Sequence, residues 1–159
     1  MGWGAAALIM VAIAFIVGRP GGEQGLLSAT PSATPTPPLP IVFGTGLDPA
    51  TNQATGATDR FRNGDPFAYS VTLQAAPAVE EILVEVVRLD GQERTVVQEP
   101  SVQRILPEPR TFAFQVLAAD LLAAWGAGEF EMRIWLRSGA TPLATGRFTL
   151  LASPEESAG

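Results

Sequence analysis

The chain has 159 residues and a net charge of −6, and it contains no His, no Cys and no Lys; its ten basic residues are all Arg. These absences remove an imidazole base, a thiolate nucleophile, a disulfide framework and a thiolate metal site together. The acids are scattered and no segment concentrates basic residues, which speaks against a nucleic-acid partner.

The first element is an uncharged apolar run, Trp3–Val17, ended by Gly18, Arg19 and Pro20. As a helix it spans about 22 Å, against a hydrocarbon core of roughly 30 Å. That length also suits the apolar region of a secretory signal. However, no Lys or Arg precedes the run, and no Ala-x-Ala cleavage site follows it. Residues 1–18 are read as a transmembrane anchor or signal segment, an uncleaved anchor in preference to a cleaved signal, with the membrane met through residues 3–17.

Residues 19–40 carry repeated Ala-Thr-Pro and the series Pro31, Pro35, Pro37, Pro38 and Pro40. Proline removes backbone donors and fixes φ, so helix and sheet ladder are both disfavoured and extended polyproline-type chain is favoured. A disordered linker of this length reaches on the order of 60 Å when extended. Between an apolar run and a folded domain, it suits a spacer.

The domain is expected over residues 41–151, with 152–159 as a disordered tail. Ile41–Phe43 opens it, and a Gly-, Thr-, Asn- and Asp-rich stretch follows to Asp59. Asn63-Gly64-Asp65-Pro66 is a turn cluster, after which Phe67, Tyr69, Val71 and Leu73 alternate as in a half-buried strand. Ile82–Leu89 ends at Asp90-Gly91, a hairpin signal, with Thr95–Val97 returning. Ser101–Leu106, between Pro100 and Pro107, predicts a separate weaker strand, and Phe112, Phe114 and Val116 a further one.

Ala118–Trp125 predicts one short helix stopped by Gly126 and Gly128. Its Leu121, Leu122 and Trp125 suit a plug at one end of the domain. The clearest strand follows. Phe130, Met132, Ile134 and Leu136 point one way, and Glu131, Arg133, Trp135 and Arg137 the other. Ser138–Pro142 turns the chain, and Leu143–Leu151 returns with Phe148 and Leu150 in phase. Seven or eight short strands at this spacing indicate an all-β, two-sheet antiparallel sandwich with one short helix.

The run Gly128-Glu-Phe130-Glu-Met132-Arg-Ile134-Trp-Leu136, then Gly139, then Ala144-Thr-Gly146-Arg-Phe148-Thr-Leu150, resembles the closing hairpin of bacterial immunoglobulin-like sandwich domains. Phe61–Leu73 with its Gly-Asp turn resembles their early strand pair. The resemblance covers residues 41–151 and brings no catalytic residues. The antibody-type Cys…Trp…Cys signature is absent. It implies an immunoglobulin-like sandwich held beyond the membrane by an anchor and a Pro/Thr stalk.

The candidate sites are few. Asp48, Asn52, Asp59 and Asp65 are loop oxygen donors suited to Ca²⁺, but their spacing matches no cation loop, and turn chemistry explains them. Glu80-Glu81 and Glu129/Glu131 are carboxylate pairs of the kind a solvated strand carries. Trp135, between Arg133 and Arg137, is the candidate partner-binding group, because an exposed indole anchors a protein or stacks on a sugar. No catalytic, cofactor or metal residue is assigned. The expected function is a non-enzymatic, extracytoplasmic binding or structural module that contacts an envelope protein or glycan. The alternative is a secreted protease-inhibitor-type β domain acting through its loops.

Overall fold

Alternating apolar side chains build two sheets that face one another across an aromatic core. The computed structural model describes residues 36–76, 80–106, 108–137 and 139–154. The expected membrane helix, most of the linker and the end of the tail lie outside the described residues. Among the described residues no helix is long and apolar enough to cross a membrane.

The first sheet runs in the order β1 (Leu39–Pro40), β10 (Ala144–Leu150), β9 (Gly128–Leu136), β6 (Glu81–Asp90) and β7 (Glu93–Arg104), with β4 (Arg60–Phe61) also paired to β10. The second sheet runs in the order β3 (Ala54–Ala57), β2 (Val42–Leu47), β5 (Pro66–Thr72) and β8 (Thr111–Leu117). β1 and β4 pair with β10 in parallel, and every other pairing is antiparallel. The sheet therefore begins two residues inside the segment read as linker, where Leu39 N–H donates to the Leu143 carbonyl at 2.9 Å.

The core follows the alternation. Phe67 of β5 and Phe148 of β10 lie 4.8 Å apart between ring centroids, edge to face, and join the two sheets. Phe61 and Phe43 flank Phe67 at 4.6 and 5.7 Å, and Phe130 stacks on Phe148 at 5.4 Å. Aromatic pairs in these offset and edge-on arrangements add about 0.5–1.5 kcal/mol each beyond the area they bury. Gly146 of β10 is needed here. A Cβ at that position would stand 2.7 Å from the Phe43 ring and 2.9 Å from Ile41 Cβ.

On β5 the alternation misleads. Phe67, Tyr69 and Val71 face the core as expected, but Ala68 and Ser70 on the other face are also buried. The hairpin β2–β3 covers them. It occupies the Gly- and Thr-rich stretch that carries no apolar alternation, and it bends across β5 so that Ala54 N–H donates to Ser70 Oγ at 3.0 Å. A Cβ on Gly44 would meet the Thr55 carbonyl oxygen, so the hairpin closes only with glycine there.

The two expected strands at Thr95–Val97 and Ser101–Leu106 merge into one strand, β7, which runs through Pro100 and ends at Arg104, leaving Ile105 and Leu106 outside it. β7 ends its sheet, and an edge strand tolerates a residue without an N–H. The ladder to β6 slips between Val84 and Val87. The connecting turn at Gly91, with φ +64°, is where the hairpin signal put it.

Helix α1 (Ala118–Trp125) has the expected bounds. It has no side-chain N-cap, and the Ala118 N–H instead donates to the Asp65 carbonyl in the turn before β5. Gly126, with φ +75°, ends it through an N–H bond to Leu122 O. Trp125 packs 5.8 Å from Phe130, and Arg88 closes this end of the core. Its guanidinium lies over Phe130 and donates to the Trp125 carbonyl at 3.0 Å.

Ile134, fully buried between β6 and β10, tests the facing of β9. Ile134→Asp is expected to remove more than about 3 kcal/mol of stability, because it buries an unpaired carboxylate. Urea denaturation measures the loss, and a value below about 0.5 kcal/mol would contradict the packing described.

Candidate functional site

Residues that alternate away from the core on β6, β7 and β9 form the outer face of the longer sheet. There the register sets Leu83 opposite both Trp135 and Val102, so the three form an apolar strip across adjacent strands. Strands lie about 4.8 Å apart, which makes the strip roughly 10 Å long. Val102 is 52 % exposed, whereas Trp135 and Leu83 are half-buried.

Charged rows border the strip on both sides. On one side Arg137 of the turn after β9 pairs with Glu81 of β6. On the other side Arg133 donates from Nε to Glu131 at 2.7 Å and lies 3.5 Å from Glu85. Arg94 and Arg147 reach the same Glu131 carboxylate from β7 and β10, at 3.2 and 3.4 Å. One carboxylate thus ties three strands together. Burial pushes the Glu131 carboxyl up, but the Arg133 hydrogen bond and the charges of Arg133, Arg94 and Arg147 outweigh it and hold it below its ordinary value.

Trp135, Arg133 and Arg137 therefore lie on one face as the alternation predicts, with different roles. The indole is the apolar centre, while both guanidinium groups are held by carboxylates of β6 and β9. Leu83 and Val102 complete the strip and were not legible as site residues. Only cross-strand register brings them beside Trp135.

The remaining candidates separate. Asp48 accepts from Ala50 N–H at 2.8 Å, a bond that lowers its carboxyl pKa, and Asn52 sits in the same turn with φ +56°. Asp65 accepts from Arg62 N–H at 2.7 Å. Asp59 lines an open cleft of about 210 Å³ beside Glu129 and Arg147. Among the described residues no three carboxylates converge as a metal-binding group. Leu121, Leu122 and Trp125 pack partly buried against the core.

The chain matches no protein-family model, and comparison with curated proteins gives no match.

The Glu131 cluster gives a pH signature. A carboxyl held lower in the folded chain than in the unfolded one stabilises the fold above the unfolded value, near pH 4.3. That contribution is lost as pH falls through the folded value. Glu131→Gln is expected to cost about 1 kcal/mol at pH 7 and progressively less below pH 4. Denaturant melts of both proteins from pH 7 to pH 3 measure this, and an undiminished difference in acid would exclude a charge-based role.

Proposed function

We propose that the protein is a non-enzymatic binding module of the cell envelope, an immunoglobulin-like sandwich tethered outside the membrane by residues 3–17 and spaced from it by the linker. The strand order supports the immunoglobulin-like reading. Taking β2, β5, β6, β7, β8, β9 and β10 as strands A, B, C, C′, E, F and G, the sheets read A-B-E and G-F-C-C′. The chain changes sheet between B and C, between C′ and E, and between E and F, as Greek-key sandwiches do.

The Val102–Leu83–Trp135 strip carries the binding reading. An indole set among aliphatic side chains on an open sheet face is the chemistry of an interaction hot spot. The charges that flank Leu83 and Trp135 are paired with one another, so apolar contact is what this part of the face offers, which favours a protein over a glycan. The tether supports placement at the envelope, since the apolar run is uncharged and leads directly into a proline-rich spacer. The chemistry of the chain supports a non-catalytic role, because His, Cys and Lys are all missing.

The test is a photo-cross-linking residue placed at Val102 of the full chain in intact cells. It is expected to give a discrete adduct with an envelope component, and Trp135→Ala is expected to reduce that adduct at least tenfold. External protease is expected to remove the domain from intact cells. An adduct that forms equally from Val42, on the other sheet, or a domain shielded from external protease, would overturn the reading.

A further inference from the structure

Three of the four sheet flanks are shielded. β7 carries Glu93, Arg94, Glu99, Pro100 and Arg104, while β1 and β4 have two residues each, and β3 has four with Gly56 at φ +62°. Charge, proline and shortness are the usual means by which an edge strand avoids further pairing. β8 has none of them. Its seven residues, Thr-Phe-Ala-Phe-Gln-Val-Leu, contain no charge, no proline and no glycine, and among the described residues no strand lies beyond it.

The hydrogen bonding of β8 is half used. Leu73 N–H donates to the Arg110 carbonyl and Ala118 N–H to the Asp65 carbonyl. Between these limits, antiparallel alternation gives the bonds with β5 to Phe112, Phe114 and Val116. The N–H and C=O groups of Thr111, Ala113 and Gln115 then point outward, as does the N–H of Leu117, whose C=O accepts the first bond of α1. The Thr72 and Thr111 hydroxyls, 3.1 Å apart, have the close side-chain approach of a non-bonded pair, as this phase requires.

We propose that β8 is the seam of a symmetric dimer, in which a second copy of this chain adds its own β8 antiparallel and the two four-stranded sheets become one. With Phe114 on the two-fold axis, Ala113 faces Gln115 of the second copy and Thr111 faces its Leu117. Ala113 and Gln115 exchange both of their bonds with the second copy, and Leu117 N–H donates to the facing Thr111 carbonyl, so the register uses the outward groups at the centre of the strand in full.

The side chains fit the same arrangement. A cleft of about 170 Å³ runs beside the first half of β8, lined by Ile105, Leu106, Thr111 and Phe112 among others. Leu106 at its rim is 71 % exposed, and at the opposite end of the strand Val116 and Leu117 are 45 % and 54 % exposed. Antiparallel pairing lays the second copy's Val116 and Leu117 along the first copy's cleft, and symmetry repeats the contact. The nearest charges beyond the two ends of β8 are Arg110 and Asp120, of opposite sign, and the pairing brings each to the end occupied by the other. A foreign strand could use the edge bonds. The match of one end to the other is a property of this strand meeting its copy.

The experiment uses the full chain in detergent, with mass read by light scattering after subtraction of bound detergent. The native chain is expected to be a dimer. Gln115→Pro removes an outward N–H and no bond to β5, and is expected to weaken the dimer about tenfold or more, since the donor is lost twice. The chain has no cysteine of its own. The double variant Ala113→Cys/Gln115→Cys is therefore expected to oxidise to a covalent dimer, while Val42→Cys is expected to stay monomeric on a reducing-agent-free gel. A monomeric native chain, a dimer untouched by Gln115→Pro, or failure of the cysteine pair to cross-link would each overturn the proposal. If Gln115→Pro does not fold, the cysteine pair decides alone.

Discussion

The contact between Phe67 and Phe148 is the one on which the rest of the sandwich depends. Each ring belongs to a different sheet, and together with Phe43, Phe61 and Phe130 they form one aromatic cluster through the centre of the domain. Burial of large rings is the largest apolar contribution available to a domain of this size. The chain has no disulfide to take its place. Other features are arranged around the cluster. Gly146 leaves room for Phe43, and Arg88 covers Phe130 at one end. At the flank the Tyr69 hydroxyl donates to Gln103 Oε1 at 2.7 Å, a bond from one sheet to the other.

The two outer faces are built on different principles. On the longer sheet, side chains make the surface. Long ion pairs cross from strand to strand and frame an apolar strip, and the Glu131 carboxylate is held by arginines from three strands. On the shorter sheet, backbone makes the surface. The β2–β3 hairpin folds over β5 and satisfies Ser70 with its own N–H group. Among the described residues no buried side-chain polar atom lacks a hydrogen bond, so neither face leaves a polar group stranded.

Much of this architecture was legible because it rests on local periodicity. Ala118–Trp125 is followed by Gly126 and Gly128, which end a helix, and β9 alternates without interruption from Phe130 to Leu136, so both were legible from neighbouring residues alone. The β2–β3 hairpin was hidden because Gly44, Thr45, Gly46 and Gly56 carry no apolar pattern. Backbone packing against Ala68 and Ser70 holds it, and short polar side chains do not announce such packing. Pro100 split β7 in the sequence, yet an edge strand accommodates it. Trp135 stood out by its type and phase, but Leu83 and Val102 became its neighbours only through register, which depends on residues far apart in the chain.

The parallel pairing of β1 with β10 has a mechanical meaning. Leu39 and Ile41 donate to the Leu143 and Thr145 carbonyls, so the start of the domain is laced alongside its last strand, and both run in the same direction. Tension applied between Leu39 and the end of β10 pulls the two strands past each other along their length. The bonds then carry the load together in shear, and are not opened one at a time as in the peeling of a hairpin. With the linker attached at the β1 end, the first pull on the domain loads this pairing in shear.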